Sequence, residues 1–212
     1  RGNLYFPLGR LEGCLREHEL SRACARRANS PELEARALGG LGDAEYARGR
    51  MITAYGYFHR CVELCRQYGL GRIEVANLPM AAFTRRFVDD PRDGSEDALA
   101  AIAAAARVGD QRAEIVARLK FLHAIYICSF ATLDLTAARE HAEIALALCR
   151  RLGARRFESE TLIYVADVER ASGRRFEALE LLKDALAISR ETGIGFFGPA
   201  ILGALALTTE DP

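Results

Sequence analysis

The sequence predicts an all-α protein: a right-handed α-solenoid of about five antiparallel helix pairs, with a period of about 40 residues and truncated ends. Three observations support this class. Half of the 212 residues are hydrophobic, there is no Trp and there are only six Pro, a composition that favours helices over sheets. A pattern of small and bulky residues recurs five times at helical spacing, and no period-two strand of convincing length is present.

The recurring pattern is a turn, a small residue, a larger residue four positions on and a small residue three positions after that. Residues spaced by three and four share one stripe of a helix, and small side chains there let a neighbouring helix approach closely. The segments before the turns carry their own apolar stripe, so each repeat is predicted to contain two helices. The five copies are Cys14, His18 and Ser21; Ala54, Phe58 and Cys61; Ala98, Ile102 and Ala105; Ala138, Ala142 and Ala145; and Ala178, Leu182 and Ala185.

Turn and cap residues place the helices along the chain. Residues 4–8 suggest the end of a first helix. Ser30-Pro31-Glu32 supplies an N-cap, a first-turn proline and a favourable acid for a helix to about Ala47, and Gly49 separates it from a helix ending near Gly69. The third pair is predicted over 72–88 and 95–108, with Ser95 as N-cap. The fourth pair begins at Asp110 and ends at Gly153, and the fifth ends at Gly193. A last helix is predicted from Pro199 to about Leu207.

We therefore predict one repeat domain over residues 1–212. Its repeats are expected at about 1–29, 30–69, 70–108, 109–153, 154–193 and, in part, 194–212. Because the first and last pairs look incomplete, we expect the chain to be cut from a longer protein. Uncapped repeats expose apolar faces, so a homodimer through the terminal repeats is also expected.

Charge and cysteine content limit the classes of partner. The 29 basic and 29 acidic residues cancel, which gives no field to attract nucleic acid or an anionic membrane. The longest apolar stretches, such as Ala98 to Ala106, are shorter than the roughly 20 residues of a membrane-spanning helix. The six Cys lack the close spacing of a disulfide-stapled secreted domain. We expect reduced thiols, a cytoplasmic location, and neither nucleic acid nor membrane as partner.

The sequence contains no convincing nucleotide-binding or catalytic motif. Gly193, Gly195 and Gly198 follow the dinucleotide-binding spacing, but a helix precedes them where that motif needs a strand, so an inter-helix turn is favoured. There is no GxxxxGK[ST] phosphate loop. Asp89 and Asp90 lie in a polar loop with no apolar pocket to raise a pKa. We predict no catalytic residues and no cofactor, and therefore no enzyme activity.

Some histidine and cysteine residues are spaced closely enough along predicted helices to be candidate metal ligands. Cys61 and Cys65 are one turn apart and could bind a metal with His59, but Cys61 takes a small-residue packing place, which favours a structural thiol. The same argument applies to Cys14 and His18. His141 lies between Glu140 and Glu143 and is expected to be solvated, whereas His123 is expected on the inner curve as a hydrogen-bonded structural histidine. No metal site is predicted.

The motif residues resemble a known repeat family. The series Leu38, Leu41, Gly42, Ala54, Phe58 and Cys61 resembles the tetratricopeptide (TPR) signature, with Leu in place of the usual aromatic residue and Cys as the second small residue. The period is similar to the longer variant in bacterial transcription activators of the maltose-regulon type. The stretches from Glu34 to Tyr46 and from Gly193 to Pro199 resemble the carboxy-terminal repeat region of bacterial class III adenylate cyclase-type proteins that bear a nucleotide-binding ATPase domain.

This resemblance implies a non-catalytic protein-interaction scaffold, as a fragment of a larger bacterial signalling protein that regulates a cyclase or an ATPase. The expected partner is a protein or peptide segment, including domains of the parent chain. The alternative is a sensor that binds a small effector and relays the change to attached catalytic domains. In the familiar TPR geometry, first helices line a concave surface, and the candidate binding residues there are Arg36, Asp43, Tyr46, Asn77, Phe83, Arg86, Lys120, His123, Ile127, Glu160, Asp167 and Arg170.

Overall fold

The computed structural model describes residues 1–88, 94–128, 135–193 and 197–209, and within them the side chains of all but residues 94–95 and 124–128. These residues form helices only, with no strand. The helices are α1 Gly2–Tyr5, α2 Leu11–Arg27, α3 Pro31–Ala47, α4 Met51–Tyr68, α5 Gly71–Arg85, α6 Gly94–Val108, α7 Gln111–Cys128, α8 Leu135–Leu152, α9 Arg155–Ala171, α10 Arg175–Thr192 and α11 Gly198–Thr209.

The all-α class and the antiparallel pairing predicted from the sequence are confirmed. The cap signals explain several boundaries. Ser30 Oγ accepts a hydrogen bond from the Leu33 amide at 3.4 Å, with Pro31 in the first turn. Gly49 and Gly69 adopt positive φ angles of 75° and 68°, a conformation that favours glycine, at the ends of α3 and α4.

Several predicted boundaries differ from the structure. Helix α1 ends at Tyr5 and does not extend to residue 8: Phe6 keeps helical angles (φ −56°, ψ −56°), but Pro7 has no amide hydrogen with which to continue the helical hydrogen bonds. Helix α5 ends at Arg85, and residues 86–88 continue as tighter turns, with the Val88 amide 2.8 Å from the Arg85 carbonyl. Helix α6 begins at Gly94, so Ser95 lies in its first turn and not at the predicted N-cap position; the Ser95 side chain is outside the described residues. The predicted loop of Asp89 and Asp90 also lies outside them.

The described chain divides into two compact units, residues 1–120 and residues 121–212, and α7 runs across the division. In unit 1 the core follows the predicted stripe: Ala54, Phe58 and Cys61 are all 0% exposed. In unit 2 the equivalent residues Ala178, Leu182 and Ala185 are at most 1% exposed. The single-domain organisation stays a prediction. Among the described residues, no helix has the length and apolar character needed to cross a membrane.

Helices α8, α9 and α10 of unit 2 align with α2, α3 and α4 of unit 1 with no insertion or deletion. Helices α3 and α9 both have 17 residues and begin at Pro31 and Arg155, 124 positions apart. Helices α4 and α10 both have 18 residues and begin at Met51 and Arg175, the same distance apart. Each residue of α2, α3 and α4 therefore has a counterpart in α8, α9 or α10 that occupies the same place in the repeat.

Candidate functional site

Four of the predicted concave-surface residues come together in unit 1. Tyr46 lies on α3, Phe83 on α5, Arg86 directly after α5 and Lys120 on α7. Three successive first helices thus contribute to one group of side chains. Phe83 and Lys120 are only 4% and 6% exposed, while Tyr46 and Arg86 are half-buried.

Cation–ring contacts and one hydrogen bond hold the centre of this group. The rings of Tyr46 and Phe83 meet edge to face with centroids 5.9 Å apart. The Lys120 Nζ atom lies 5.2 Å from the Tyr46 centroid and 5.3 Å from the Phe83 centroid, and it donates to the Tyr46 hydroxyl at 3.4 Å. An ammonium ion over ring faces is stabilised by the ring quadrupoles. This arrangement lets a lysine be almost fully buried on the aromatic pair.

Phe87 joins the group although the sequence prediction did not include it. Its ring meets Phe83 edge to face at 6.0 Å, and the Arg86 guanidinium carbon lies 5.6 Å from the Phe83 centroid and 5.8 Å from the Phe87 centroid. Phe87 is 46% exposed. The spacing of four between Phe83 and Phe87 was the available signal. We call Tyr46, Phe83, Arg86, Phe87 and Lys120 the aromatic–cation cluster.

Packing beneath the cluster fixes the Tyr46 ring. Tyr46 packs against an apolar group formed by Ala54, Phe58 and Met80 from α4 and α5. The fully buried Phe58 takes the bulky place of the repeat stripe, so the repeat core itself orients this ring. The cluster is therefore a preorganised surface whose shape depends on helix packing and little on side-chain freedom.

The other predicted residues of unit 1 take different positions. Arg36 is exposed and pairs with Glu32 one turn earlier at 2.9 Å. Asn77 is half-buried, donates to the Ile73 carbonyl at 2.8 Å and packs against the backbone of Gly39. Asp43 is half-buried on α3. Burial is the main cause that raises the pKa values of the Cys14 and Cys61 thiols, and the Asp43 charge adds to it. None of these three belongs to the aromatic–cation cluster.

The predicted residues of unit 2 are mostly polar and have local partners. His123 Nδ1 and the Tyr164 hydroxyl form a hydrogen bond of 2.9 Å, which agrees with the expected structural histidine. Asp167 accepts a hydrogen bond from Arg170 at 3.4 Å, and Glu160 is buried at 5% exposure. The sequence prediction did not include Tyr164. The side chain of Ile127 lies outside the description.

The thiols are buried packing groups. Burial raises the pKa of Cys61 and Cys65, and it raises the pKa of Cys149 to about 11, so these thiols stay protonated at neutral pH. Cys61 Sγ donates to the Ala35 carbonyl at 3.2 Å. Within the described part of the chain, no group of three His, Cys, Asp or Glu residues could hold a metal ion.

Two other histidines have structural surroundings. His18 is 8% exposed, its ring lies against the backbones of Gly2 and Gly40, and burial lowers its pKa. His141, predicted to be solvated, is half-buried, and its ring centroid lies 4.5 Å from that of Phe121. The prediction for His141 was wrong because the residue follows Ala138 by three positions, which places it at the edge of the buried stripe.

A carboxylate at the end of α9 is held by two arginines. Glu169 accepts hydrogen bonds from Arg139 and Arg174. Burial alone would raise the pKa of Glu169, but the two guanidinium groups outweigh burial and lower it. Its counterpart Glu45 lies 3.8 Å from Arg50 at the same turn of unit 1. This recurring pair therefore belongs to the repeat and not to a binding site.

No protein-family model matches the sequence, and a comparison with curated proteins gives no match. Solved structures do match. They include the apo form of RapI (TM-score 0.71, 13% identity, 99% of this chain and 75% of that chain), BtubC (BKLC) from P. vanneervenii (0.64, 17%, 91% and 78%) and a Podosopora anserina putative kinesin light chain with nearly identical TPR-like repeats (0.58, 16%, 90% and 92%). Identities this low show the fold alone. The chain therefore has the fold of the TPR-like proteins, a stack of antiparallel helix pairs.

Proposed function

We propose that this chain is a non-catalytic binding module that holds a segment of a partner protein on its first helices, with the aromatic–cation cluster as the main contact. The observation that supports this function best is the meeting of two cations and three aromatic rings from successive first helices at one surface. Aromatic residues and arginine are the residue types that dominate binding energy at protein interfaces.

The cluster has a buried base and a partly exposed edge. Phe83 and Lys120 form the base, and Phe87 and Arg86 reach the surface. A large apolar side chain of the partner would pack on the Phe87 ring, and a neighbouring carboxylate would pair with Arg86. Because packing already fixes the Tyr46 and Phe83 rings beneath them, mainly the Phe87 and Arg86 side chains lose freedom on binding. The expected ligand is a peptide segment with an acidic residue next to a large apolar one.

A selection from a random peptide library displayed on phage tests this function. We expect selected peptides to be enriched in acidic and aromatic residues, and Phe87→Ala to weaken their binding by about tenfold or more. Phe176→Ala is the matched control, since Phe176 is 83% exposed on unit 2 and lies outside the cluster. If selected peptides bind the Phe87→Ala and Phe176→Ala variants equally well, the cluster is not the contact surface.

We also propose that the partners are catalytic domains of a bacterial signalling protein of the cyclase or ATPase type, in the cytoplasm. The support is the resemblance of residues 34–46 and 193–199 to repeat regions of such proteins; the first stretch forms most of α3 and carries Tyr46. Titration calorimetry with a purified class III cyclase domain is the test. Binding that Phe87→Ala weakens would support the proposal, and an absence of binding heat at micromolar concentrations would contradict it.

A further inference from the structure

A cavity of about 310 Å³ opens in unit 1 between α2, α3 and α4. It shares no residue with the aromatic–cation cluster. Apolar and polar side chains both line it, as in most sites that bind small molecules, and its volume is at the lower end of the range for such sites. The lining residues are Glu19, Arg22, Ala23, Arg26, Leu41 and Tyr57.

The repeat provides an internal reference for this cavity. Four lining residues have the same or a similar residue at the equivalent place of unit 2, and two do not. The similar pairs are Glu19 and Glu143, Ala23 and Ala147, Arg26 and Arg150, and Leu41 and Val165. The two differences are Arg22, which is replaced by Leu146, and Tyr57, which is replaced by Leu181.

Unit 2 shows what the repeat itself needs at these two places. Leu146 and Leu181 pack against one apolar cluster that includes Leu162 and Ile188. Leucine therefore satisfies the packing of the helices there. The packing of the helices therefore does not require the polar groups of Arg22 and Tyr57.

Arg22 lies beside an ion pair that recurs in the repeat. Arg26 and Glu34 form an ion pair of 2.7 Å between the end of a second helix and the following first helix, and Arg150 and Glu158 form the same pair at 3.2 Å in unit 2. There Glu158 also has a second partner, Arg155 of α9, at 2.8 Å. Arg22 is only a more distant neighbour of Glu34, at 3.5 Å. Two guanidinium groups thus lie beside one carboxylate in each unit, and the second of them comes from α2 in unit 1 and from α9 in unit 2.

Arg22 and Tyr57 also have unused hydrogen-bonding capacity. Among the described residues, Arg22 has no hydrogen-bond partner, and its Nε atom is buried. The Tyr57 ring packs against the apolar clusters around Leu41 and Leu38, and its hydroxyl has no hydrogen-bond partner in the described part of the chain. A guanidinium fork and a phenol hydroxyl, set beside apolar carbon, match a carboxylate that is joined to an apolar body.

We propose that this cavity binds an organic acid, with the carboxylate held by Arg22 and the Tyr57 hydroxyl and the apolar part against Leu41 and Ala23. Two sources share this chemistry: a free small acid, and an acidic residue beside an apolar one in a polypeptide. Glu19, the one carboxylate among the lining residues, is exposed.

Amide-resolved NMR titrations of the full chain test the proposal. The probes are phenylbutanoate, its neutral amide, phenyl phosphate, and the capped dipeptides acetyl-Phe-Glu-amide and acetyl-Phe-Gln-amide. We expect phenylbutanoate or the Glu dipeptide to shift the amides of residues 19–26, 41 and 57 and to bind at least tenfold more tightly than its neutral analogue, as for a hydrogen bond to a charged group. Preference for one of the two acids identifies the source.

Variants separate binding from folding. Arg22→Leu installs the residue that unit 2 carries at the same place, so it should keep the thermal unfolding midpoint while losing about tenfold or more in affinity for the acid. Tyr57→Phe keeps the packed ring and should lose about two- to tenfold. Arg16→Leu is the control, because Arg16 is an exposed arginine elsewhere on α2.

Three results would overturn the proposal. The first is equal binding of the acids and their neutral analogues. The second is unchanged acid affinity in Arg22→Leu. The third is binding of phenyl phosphate with no binding of either carboxylate, which would assign the cavity to another class of anion.

Discussion

Gly42 and Phe58 form a packing pair whose replacement tests the repeat directly. Gly42 lies on α3, and Phe58 lies on α4 with 0% exposure. A Cβ atom added at Gly42 would lie 2.6 Å from Cε1 and 2.7 Å from Cζ of the Phe58 ring. Carbon atoms pack at about 3.5 Å or more, so the ring would have to move by about 1 Å inside a closed core.

Unit 2 has a different pair of residues at the same two positions of the repeat. The counterparts of Gly42 and Phe58 are Ala166 and Leu182, each 1% exposed. A larger residue on the first helix is accompanied by a smaller one on the second. The double variant Gly42→Ala with Phe58→Leu would therefore reproduce a pair that this fold already accommodates.

The expected magnitudes follow from this geometry. Gly42→Ala alone adds strain of about 3 kcal/mol and regains about 1 kcal/mol of helix propensity, so the free energy of unfolding falls by about 2 kcal/mol. Phe58→Leu alone removes buried carbon and costs about 1 kcal/mol. In the double variant the strain is absent and the other two effects cancel. The coupling free energy is then about 3 kcal/mol.

Urea unfolding followed by circular dichroism, on the parent chain, both single variants and the double variant, measures this coupling. Gly56→Ala is the control: Gly56 lies inside α4, no atom lies within 4 Å of its added Cβ, and we expect a gain of up to about 1 kcal/mol. Additive effects of the two single changes, within about 0.5 kcal/mol, would refute the reasoning.

Three further predictions concern charge, thiols and assembly. Glu169→Gln should lower the free energy of unfolding at pH 7, because the folded state depresses the pKa of Glu169. This contribution is fully present above the unfolded pKa of about 4.3 and is lost as the pH falls. The urea midpoints of the variant and the parent should therefore converge below about pH 4. A maleimide should label the exposed Cys24 rapidly and the buried Cys149 only after unfolding, as read by mass spectrometry. If the exposed Leu202 and Leu207 of α11 support the proposed homodimer, replacing both by Glu should shift light scattering from dimer to monomer mass.

The stripes and caps that carry local information could be predicted from the sequence. Spacings of four and three identified Ala54, Phe58 and Cys61 as buried because small residues at that spacing leave room for the next helix. Ser30 and Gly69 were identified from the preferences of helix ends. Each of these signals lies within one helix or one turn, where chain geometry alone determines which residues are neighbours.

Contacts between helices were predicted less completely. Tyr46, Phe83, Arg86 and Lys120 were assigned to the first helices, but their cation–ring geometry depends on how α3, α5 and α7 pack together. Phe87 lies beyond the end of α5, and its place in the cluster depends on tight turns that the helical pattern did not include. Sequence spacing gives the face of a helix; distances across helices require the fold.

Equivalent positions in the two units differ in two ways, one of which follows from packing and one of which does not. Where a position serves packing only, a change in size on one helix is matched by the opposite change on its neighbour, as at Gly42 with Phe58 against Ala166 with Leu182. Such compensation conserves volume and apolar character. The change from two leucines in unit 2 to Arg22 and Tyr57 in unit 1 conserves neither. The ion pair with Glu34 uses part of the Arg22 charge, but the buried Nε atom of Arg22 has no hydrogen-bond partner among the described residues, which is unfavourable beside apolar carbon. A ligand that takes the hydrogen bonds of Arg22 and Tyr57 gives this departure from the repeat a physical cause.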